Sequence, residues 1–265
     1  SMSTVYHNAI RELGGRIVQG SLEPGTRITL EWLGNEFEIS RTIAREVVQV
    51  LASMGLVRSR RRTGVTVLPR EQWDAFDPAV IRWRLDGPGR GHHLEELAQL
   101  RAAVEPAAAA MAATRAGAAV RDELLTLAEQ MEETGAAGDL EAFLEHDVAF
   151  HRLLLRTSGN AMFAGLSDVV EEVLRGRTDH HLMPPEPKPE ARDLHAAVAA
   201  AVARGDADTA RTAMSALCLE VVAGIAELSD DEPGSGRSGW AGSSLIRRPR
   251  RAPRGRTPRA PAWSP

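Results

Sequence analysis

SRTIAREVVQVLASMGLV, residues 40–57, predicts a capped helix that runs into the start of a strand. The hydroxyl of Ser40 can accept a hydrogen bond from the free amides of the first turn, and Gly55 ends the helix. Apolar residues recur at helical spacing and predict one buried stripe, which consists of Ile43, Val47, Val50, Leu51 and Met54. This pattern is typical of the third helix in a helix-turn-helix, although an ordinary amphipathic surface helix would share it.

The exposed face of the same helix is suited to DNA. Thr42, Arg45 and Gln49 lie opposite the apolar stripe, and Arg41 is one turn before Arg45. Since the free amides and the dipole at a helix N-terminus favour phosphate, this end of the helix is the end expected to meet DNA.

The next residues predict a basic β-hairpin. Residues 56–60 (LVRSR) and 65–67 (VTV) are two short strands, and Arg60 and Arg61 lie at the turn between them. Residues 40–70 contain seven Arg and one acidic residue, a net charge of +6. Clustered Arg of this kind indicates phosphate binding, so the hairpin is interpreted as the wing of a winged helix.

Composition predicts a mostly α-helical protein outside the wing. The chain of 265 residues has only 4% aromatic residues and long runs rich in Ala and Leu. It divides into a winged helix-turn-helix at residues 5–69, a linker with a short helix at 70–91, an all-α bundle of six to seven helices at 92–228 and a disordered basic tail at 229–265. The predicted bundle helices are residues 93–116, 119–134, 140–156, 161–182, 190–203 and 207–228.

Charge and cysteine usage limit the class of function. The whole chain carries −4, residues 1–70 carry +4 and residues 233–265 carry +8, which leaves −16 for the middle. A basic head on an acidic body suits a DNA reader joined to a module that does not touch DNA. The single cysteine excludes an internal disulfide, and no apolar run reaches the roughly 18 to 20 residues of a membrane span. We expect a cytoplasmic protein without a membrane partner.

The first 69 residues resemble the winged helix of GntR-type bacterial transcription regulators. The resemblance is carried by GSLEPGTRIT (20–29), SRTIARE (40–46) and GLVRSRRRTGVTV (55–67). It implies that Ser40, Arg41, Thr42, Arg45 and Gly64 contact DNA. Two departures are present. Glu38 stands where relatives often have Gly, which predicts a less regular turn, and Glu31 stands where some subgroups have a DNA-contacting Arg.

The later helices resemble the FCD ligand-binding domain of FadR-type regulators. The carriers are LEELAQLRAAVEPAAAAMAA (94–113), DVAFHRLLLRTSGN (147–160) and LHAAVAAAVARGDADTARTAM (194–214). The connector FDPAVIRWRLDGP (76–88) also resembles a segment found between the two domains in this branch.

Three polar side chains fall on predicted core faces of the bundle. Asp147 and His151 are four residues apart on the face defined by Phe143, Phe150 and Leu154. His195 belongs to the apolar stripe Ala191, Val198 and Val202 of another helix. A buried carboxylate is costly unless it is paired or binds a metal, and Asp, His and His suit zinc, nickel or manganese. The alternative is that each histidine is an ordinary, hydrogen-bonded core residue.

The resemblance to FCD domains favours the metal. Many of them bind a divalent ion through Asp, His four residues on, and two further His, and Asp147, His151 and His195 match the first three. Leu217 stands where the fourth is expected. We therefore expect either a metal held by three side chains and completed by water or ligand, or a weakened site. His180, His181 and Asp193 could supply the fourth ligand only if their loop folded inward.

A small organic acid is the expected effector. Arg101 is four residues before Glu105 and is interpreted either as one arm of a surface ion pair or as a cationic anchor for an acidic ligand. Asn160, and either Arg175 or Arg177, are further candidates for ligand binding. The connector resembles regulators of sugar-acid metabolism, which favours an aldonate or a similar hydroxy acid.

Three functions are compatible with these features. The first is a ligand-responsive regulator, a repressor that binds a near-palindromic operator as a homodimer. The second is a metal-dependent hydrolytic enzyme that uses the Asp/His cluster, but no separate general base or nucleophile motif is apparent, so we expect no enzymatic activity. The third is a nonspecific DNA-coating protein, which the acidic body disfavours.

Overall fold

The computed structural model describes residues 2–182 and 188–230. The N-terminal region contains α1 (Met2–Val18), β1 (Arg27–Ile28), α2 (Leu30–Phe37), α3 (Arg41–Ser53), β2 (Val57–Arg60), β3 (Gly64–Val67) and a 3-10 turn (Arg70–Gln72). The helices that follow are α4 (Pro78–Asp86), α5 (Arg90–Arg115), α6 (Ala118–Ala136), α7 (Leu140–Thr157), α8 (Ala161–Ala164), α9 (Ser167–Asp179), α10 (Pro189–Ala203) and α11 (Ala207–Asp230). The predicted fold class, a winged helix-turn-helix followed by an all-α bundle, is confirmed.

Side-chain caps fix the starts of the helices that matter most. The hydroxyl of Thr29 accepts from Trp32 N at 3.0 Å to start α2, and that of Ser40 accepts from Ile43 N at 3.2 Å to start α3. The carboxylate of Asp77 accepts from Ala79 N at 2.9 Å at the start of α4. Each cap satisfies an amide that the helix itself leaves free, and the cap at Ser40 was predicted.

The buried face of α3 is turned slightly from the predicted stripe. Val47 and Leu51 are buried as expected, but Ala44 and Val48 complete the face. Three predicted members, Ile43, Val50 and Met54, are only half-buried. The buried face of α3 is therefore centred closer to Ala44 and Val48 than the sequence predicted.

The wing has one strand more than the sequence predicted. β3 lies between β1 and β2 and pairs antiparallel with both. Arg60 pairs with Gly64 across the tip, and Ile28 of β1 pairs with Val65. β1 has only two residues, too few to show strand periodicity, and the pairing with β3 defines it.

Glu38 holds the turn between α2 and α3 in the conformation that glycine would adopt. Its φ is +52°, and its backbone N–H donates to Gly34 O. The turn is therefore regular, contrary to the prediction. Glutamate in place of glycine instead costs about 1 kcal/mol of backbone strain, because the left-handed region is unfavourable for residues with a β-carbon.

Helix α4 belongs to two hydrophobic cores. Val80 and Trp83 pack into the core of the winged helix, whereas Ile81 and Leu85 pack into a core of the bundle. A β-carbon at Gly14 of α1 would overlap the ring of Trp83. The predicted linker thus contains a packed helix, and this helix connects the winged helix to the bundle.

Helix α4 contacts both α9 and α5 of the bundle, and its closest approach is to α9. A β-carbon at Gly176 would lie 2.7 Å from Leu85 Cδ1, so only glycine allows this approach. Beside it, Arg82 Nε donates to Glu172 Oε2 at 3.1 Å. One face of α9 therefore holds α4 through an apolar contact and an ion pair.

In the described part of the chain the bundle consists of α5 to α11. The predicted helix 161–182 is wrong, because the chain turns at Gly165 and Leu166 and forms α8 and α9. The predicted break at Gly135 is also wrong, since α6 continues through this residue, which is buried against Phe143. The predicted basic tail falls almost entirely on residues 231–265, outside the described residues.

The α-helices of the described residues range from 4 to 26 residues in length. Among them, no helix combines the length and the apolar character that crossing a membrane requires.

Candidate DNA-binding surface and buried metal-binding cluster

The start of α3 presents its polar side chains to solvent. Arg41, Thr42 and Arg45 are exposed, as the sequence predicted for the face opposite the core. Ser40 is also exposed, and its hydroxyl oxygen is engaged by the cap while its proton stays available as a donor. The first turn of α3 thus offers two guanidinium groups and two hydroxyl groups on one accessible edge.

The wing adds further cations. Arg60 and Arg61 are exposed near the tip, and Arg58 and Arg62 are exposed beside them. Gly64 begins β3 with a φ of +76°, a conformation that suits glycine and allows the tight return of the hairpin. The sequence analysis did not name Arg58 as a DNA-contacting candidate. Arg58 follows the apolar Val57 in a predicted strand, and this alternation would have placed its side chain on the exposed face.

These arginines are not neutralised inside the protein. Within residues 2–182 and 188–230, no acidic side chain forms an ion pair with any of them, namely Arg41, Arg45, Arg58, Arg60, Arg61 and Arg62. Other arginines, such as Arg152 and Arg175, each contact two acidic groups. The winged helix therefore keeps its positive charge available for phosphate, whereas Arg152 and Arg175 of the bundle are paired with acidic side chains.

The second candidate site lies inside the bundle. Helix α7 brings Asp147 and His151 to one buried face, and α10 supplies His195. Asp147 Oδ1 is 3.1 Å from Nε2 of both histidines, and the two Nε2 atoms are 3.4 Å apart. The three predicted metal ligands therefore meet at one point, each no more than 5% exposed.

Neighbouring acceptors fix the orientation of both imidazole rings. His195 Nδ1 lies 2.7 Å from the carbonyl of Ala191, and His151 Nδ1 lies 2.5 Å from Glu105 Oε1. A carbonyl or carboxylate only accepts, so each Nδ1 carries the proton. In the neutral tautomers, both Nε2 lone pairs then face Asp147, and three electron-pair donors converge.

This donor set fits a divalent transition metal. Three converging acceptors repel one another unless a proton or a cation lies between them. Ligand atoms bound tetrahedrally at about 2.0–2.1 Å from zinc lie roughly 3.3 Å from one another. The observed separations of 3.1–3.4 Å correspond to that spacing.

The fourth protein ligand is absent from the described residues near the cluster. Leu217 is 4% exposed and packs in the apolar core, as the sequence predicted. The neighbouring Cys218 does not replace it, because its Sγ lies 3.7 Å from Glu105 Oε2, and burial raises the pKa of its thiol to about 12. His180 is also engaged elsewhere, 2.9 Å from Asp86. The geometry supports three protein ligands and open positions.

Glu105 is the residue of this site that the sequence did not reveal. It lies on α5, is 2% exposed, and accepts from Arg101 Nε at 2.6 Å as well as from His151. Arg101 is 3% exposed, so the interpretation as a surface ion pair is wrong. Arg101 and Glu105 lie four residues apart in a helix rich in alanine, and this pattern could have indicated a buried ion pair in the sequence.

The guanidinium of Arg101 carries a second buried donor, Nη1, besides the Nε that contacts Glu105. Its Nη1 is buried, and within the described residues it has no hydrogen-bond partner. A buried donor without an acceptor costs about 1–3 kcal/mol, which a bound anion would recover. This observation fits the predicted role of Arg101 as an anchor for an acidic ligand.

Charges within the cluster reinforce one another. Burial alone would raise the pKa of Glu105, but the nearby charge of Arg101 lowers it to about 2. Burial likewise opposes ionisation of Asp147, yet hydrogen bonds from His151 and His195 hold its pKa well below the usual value. Burial disfavours a charged His151, but the carboxylates of Glu105 and Asp147 outweigh this and raise its pKa to about 9. The carboxylates of Glu105 and Asp147 therefore stabilise a positive charge at the position of the His151 imidazole.

The two weaker ligand candidates lie apart from the cluster. The side chain of Asn160 caps α8 and accepts from Met162 N at 2.9 Å. Arg175 donates to Glu145 at 2.8 Å and to Glu171 at 2.9 Å, so its guanidinium is already neutralised. Neither residue is brought together with Asp147, and a direct role in ligand binding is not supported by their positions.

Arg177 is the alternative to Arg175 that the sequence offered on the same helix. It is half-buried, and burial together with the charge of Arg101 lowers its pKa to about 10. The same interior groups that surround Arg101, including Asp147 and Glu105, act on it. The charges of Arg101 on α5 and Arg177 on α9 therefore act on each other in the interior of the bundle.

A winged helix joined to an α-helical bundle with a buried polar cluster defines a DNA-binding protein with a sensor module. Residues 5–67 match the family described as bacterial regulatory proteins, gntR family, and residues 96–219 match the FCD domain. The chain belongs to the GntR family of transcription regulators, and its bundle is an FCD domain.

Two relatives and one solved structure illustrate the similarity. The galactonate operon transcriptional repressor of Escherichia coli (strain K12) is 32% identical over 204 residues, 76% of this chain and 88% of that protein. The uncharacterized regulator YieP of the same organism is 30% identical over 207 residues, 78% of this chain and 89% of that protein. The structure of E. coli McbR/YncC shares the fold, with a TM-score of 0.51 at 19% identity over 85% of this chain and 98% of that one.

Proposed function

We propose that the chain is a ligand-responsive repressor that binds a near-palindromic operator as a homodimer. The observation that carries this proposal is the set of exposed arginines on α3 and the wing, none of which has an acidic partner among the described residues. One recognition helix contacts only a few base pairs, and two-fold symmetry supplies the remaining specificity.

Direct reading of bases is assigned to the start of α3. Arg41, Thr42 and Arg45 are exposed on its first turns, where a recognition helix enters the major groove. Arg60, Arg61 and the tip at Gly64 belong to the wing and are suited to the phosphate backbone of the adjacent groove.

The effector is proposed to be a small carboxylic acid, with a sugar acid as first choice. Support comes from Arg101, whose buried Nη1 has no acceptor among the described residues, and from the nearby Arg177. The name of the galactonate operon repressor, 32% identical to this chain, makes D-galactonate a reasonable first compound to test.

Asp147, His151 and His195 are proposed to hold a divalent metal ion, with zinc, nickel and manganese as candidates. When bound, such an ion supplies Lewis-acidic positions for oxygen atoms of a ligand. The protein orients both imidazoles toward the ion. The ring of Phe150 excludes water from this position, and its centroid lies 5.7 Å from that of His151 and 5.2 Å from that of His195.

Communication between effector and DNA is proposed to pass through α4. A ligand shifts a conformational equilibrium only by binding two states with different affinities. Arg177 follows Gly176, the residue on which Leu85 of α4 rests, and Trp83 of the same helix lies in the core of the head. A ligand that moves Arg177 would therefore alter the seating of α4 and the spacing of the two heads.

Arg45→Ala tests the DNA-binding assignment. We expect operator affinity to fall by about 5- to 150-fold, the effect of losing 1–3 kcal/mol of base recognition. The operator is first selected from random DNA with the wild-type protein, and affinities are measured by fluorescence anisotropy at several salt concentrations.

Arg211→Ala is the matched control, because Arg211 is also exposed but lies on α11 of the bundle. It should bind the operator like the wild type. Unchanged affinity of Arg45→Ala would show that the recognition surface lies elsewhere, and equal wild-type affinity for operator and random DNA would instead indicate a nonspecific coating protein.

Asp147→Ala tests the metal. Wild-type protein loaded with Zn²⁺ or Ni²⁺ and then desalted is expected to retain about one ion per chain, and the variant is expected to lose it, because a site with three protein ligands is left with two. Metal content is measured by mass spectrometry. Asp168→Ala removes an exposed carboxylate on α9 and should retain the ion. A wild type that binds no metal after loading would rule out the site.

A further inference from the structure

Glu105 connects two groups that the proposed function treats separately. Its Oε1 accepts from His151 Nδ1, and its Oε2 accepts from Arg101 Nε. The carboxylate is 2% exposed, and 46 residues separate it from His151 in sequence. It therefore lies behind the metal-facing side of the imidazole and does not itself belong to the converging donor set.

A carboxylate in this position changes what the imidazole can do. An acceptor at Nδ1 fixes the proton there, so that Nε2 presents its lone pair to the metal side. A negatively charged acceptor also makes Nε2 more basic, and loss of such an outer partner typically costs 10- to 100-fold in metal affinity.

Arg101 explains how the carboxylate is kept charged and in place. An isolated carboxylate is costly in a protein interior, and an adjacent guanidinium offsets much of that cost. Since Arg101 approaches through Nε, its Nη1 stays free for a ligand. The contacts therefore run from Arg101, the proposed ligand anchor, to the carboxylate of Glu105 and on to the imidazole of His151, whose Nε2 faces the proposed metal position.

We propose that Glu105 is a positioning residue for the metal site, which sets the tautomer and basicity of His151 and joins the site to the ligand anchor Arg101. This inference rests on the proposed function only in that Asp147, His151 and His195 are taken as the metal ligands. Within the described residues, no group of three potential metal ligands that contains Glu105 lies close enough together to bind an ion.

The test compares Zn²⁺ affinities by competition with a chromophoric chelator. Glu105→Gln is nearly isosteric but uncharged, and we expect its Zn²⁺ affinity to fall at least about tenfold. Glu172→Gln is the matched control, because Glu172 is also buried and also pairs with an arginine, Arg82, but lies outside the cluster. Its Zn²⁺ affinity should equal that of the wild type.

A second variant guards against loss of folding. Glu105→Asp keeps the negative charge beside Arg101 but is one methylene shorter, so it should also weaken Zn²⁺ binding. Melting curves in chelator identify folded variants, and the increase in Tm on adding Zn²⁺ provides an independent measure of affinity. The increase should be smaller for both Glu105 variants than for the control.

The outcomes separate this inference from the proposed function. Wild-type Zn²⁺ affinity in a folded Glu105→Gln or Glu105→Asp protein would overturn the role of Glu105 and leave the metal ligands intact. A wild-type protein that binds no Zn²⁺ would overturn both the metal assignment and this inference, while operator binding would still test the regulator independently.

Discussion

Urea denaturation of Trp83→Ala is expected to give a free energy of unfolding about 3–5 kcal/mol below that of the wild type. Trp83 is 5% exposed and lies in the core of the winged helix, although it belongs to α4. Gly14 of α1 provides the space for its ring, so alanine at position 83 would leave a cavity beside α1. The loss should fall mainly on the attachment of the head.

Two measurements locate the effect. Operator affinity of Trp83→Ala should fall because the head is less well held, whereas retention of Zn²⁺ by the bundle should be unaffected. Phe76→Ala is the control, since Phe76 precedes the same helix but is 55% exposed, and its removal should change stability by less than about 0.5 kcal/mol. Equal stability of the two variants would show that α4 is not part of the core of the head.

Arg101→Met is expected to destabilise the protein by about 3–5 kcal/mol, because it removes the cation that compensates a buried carboxylate. Arg101 and Glu105 are 3% and 2% exposed, so water cannot replace the lost partner. The variant is measured by urea denaturation in the presence of chelator, which removes any contribution of bound metal. Methionine retains most of the volume and limits the loss of packing.

A double variant and a surface control distinguish charge from packing. Arg101→Met with Glu105→Gln removes both charges and should recover part of the lost stability. Arg175→Met breaks two ion pairs of a side chain that is 34% exposed, and it should cost less than about 1 kcal/mol. If Arg101→Met were as stable as Arg175→Met, Glu105 would have to be compensated by another group.

Residues that act on their immediate neighbours were predictable from the sequence. Ser40, Thr29 and Asp77 cap helices because a cap involves only the next two or three residues. Asp147 and His151 share a face because residues four apart in a helix always do. The exposed edge of α3 and the basic wing followed from the same local rules, as did Leu217 on the apolar face of α11.

Contacts between distant helices depended on rotations that local rules leave open. Arg175 and Arg177 are both on α9, but two residues correspond to a rotation of about 200° around a helix, so the two side chains lie on nearly opposite faces. Helix packing alone decides which of these faces is turned to the interior of the bundle. Glu105 meets His151, and α4 enters two cores, because whole helices are positioned against one another over tens of residues. The chain's local chemistry thus specified the exposed edge proposed to contact DNA and three metal-ligand candidates, whereas the support behind those candidates and the connection to the winged helix arose from tertiary packing.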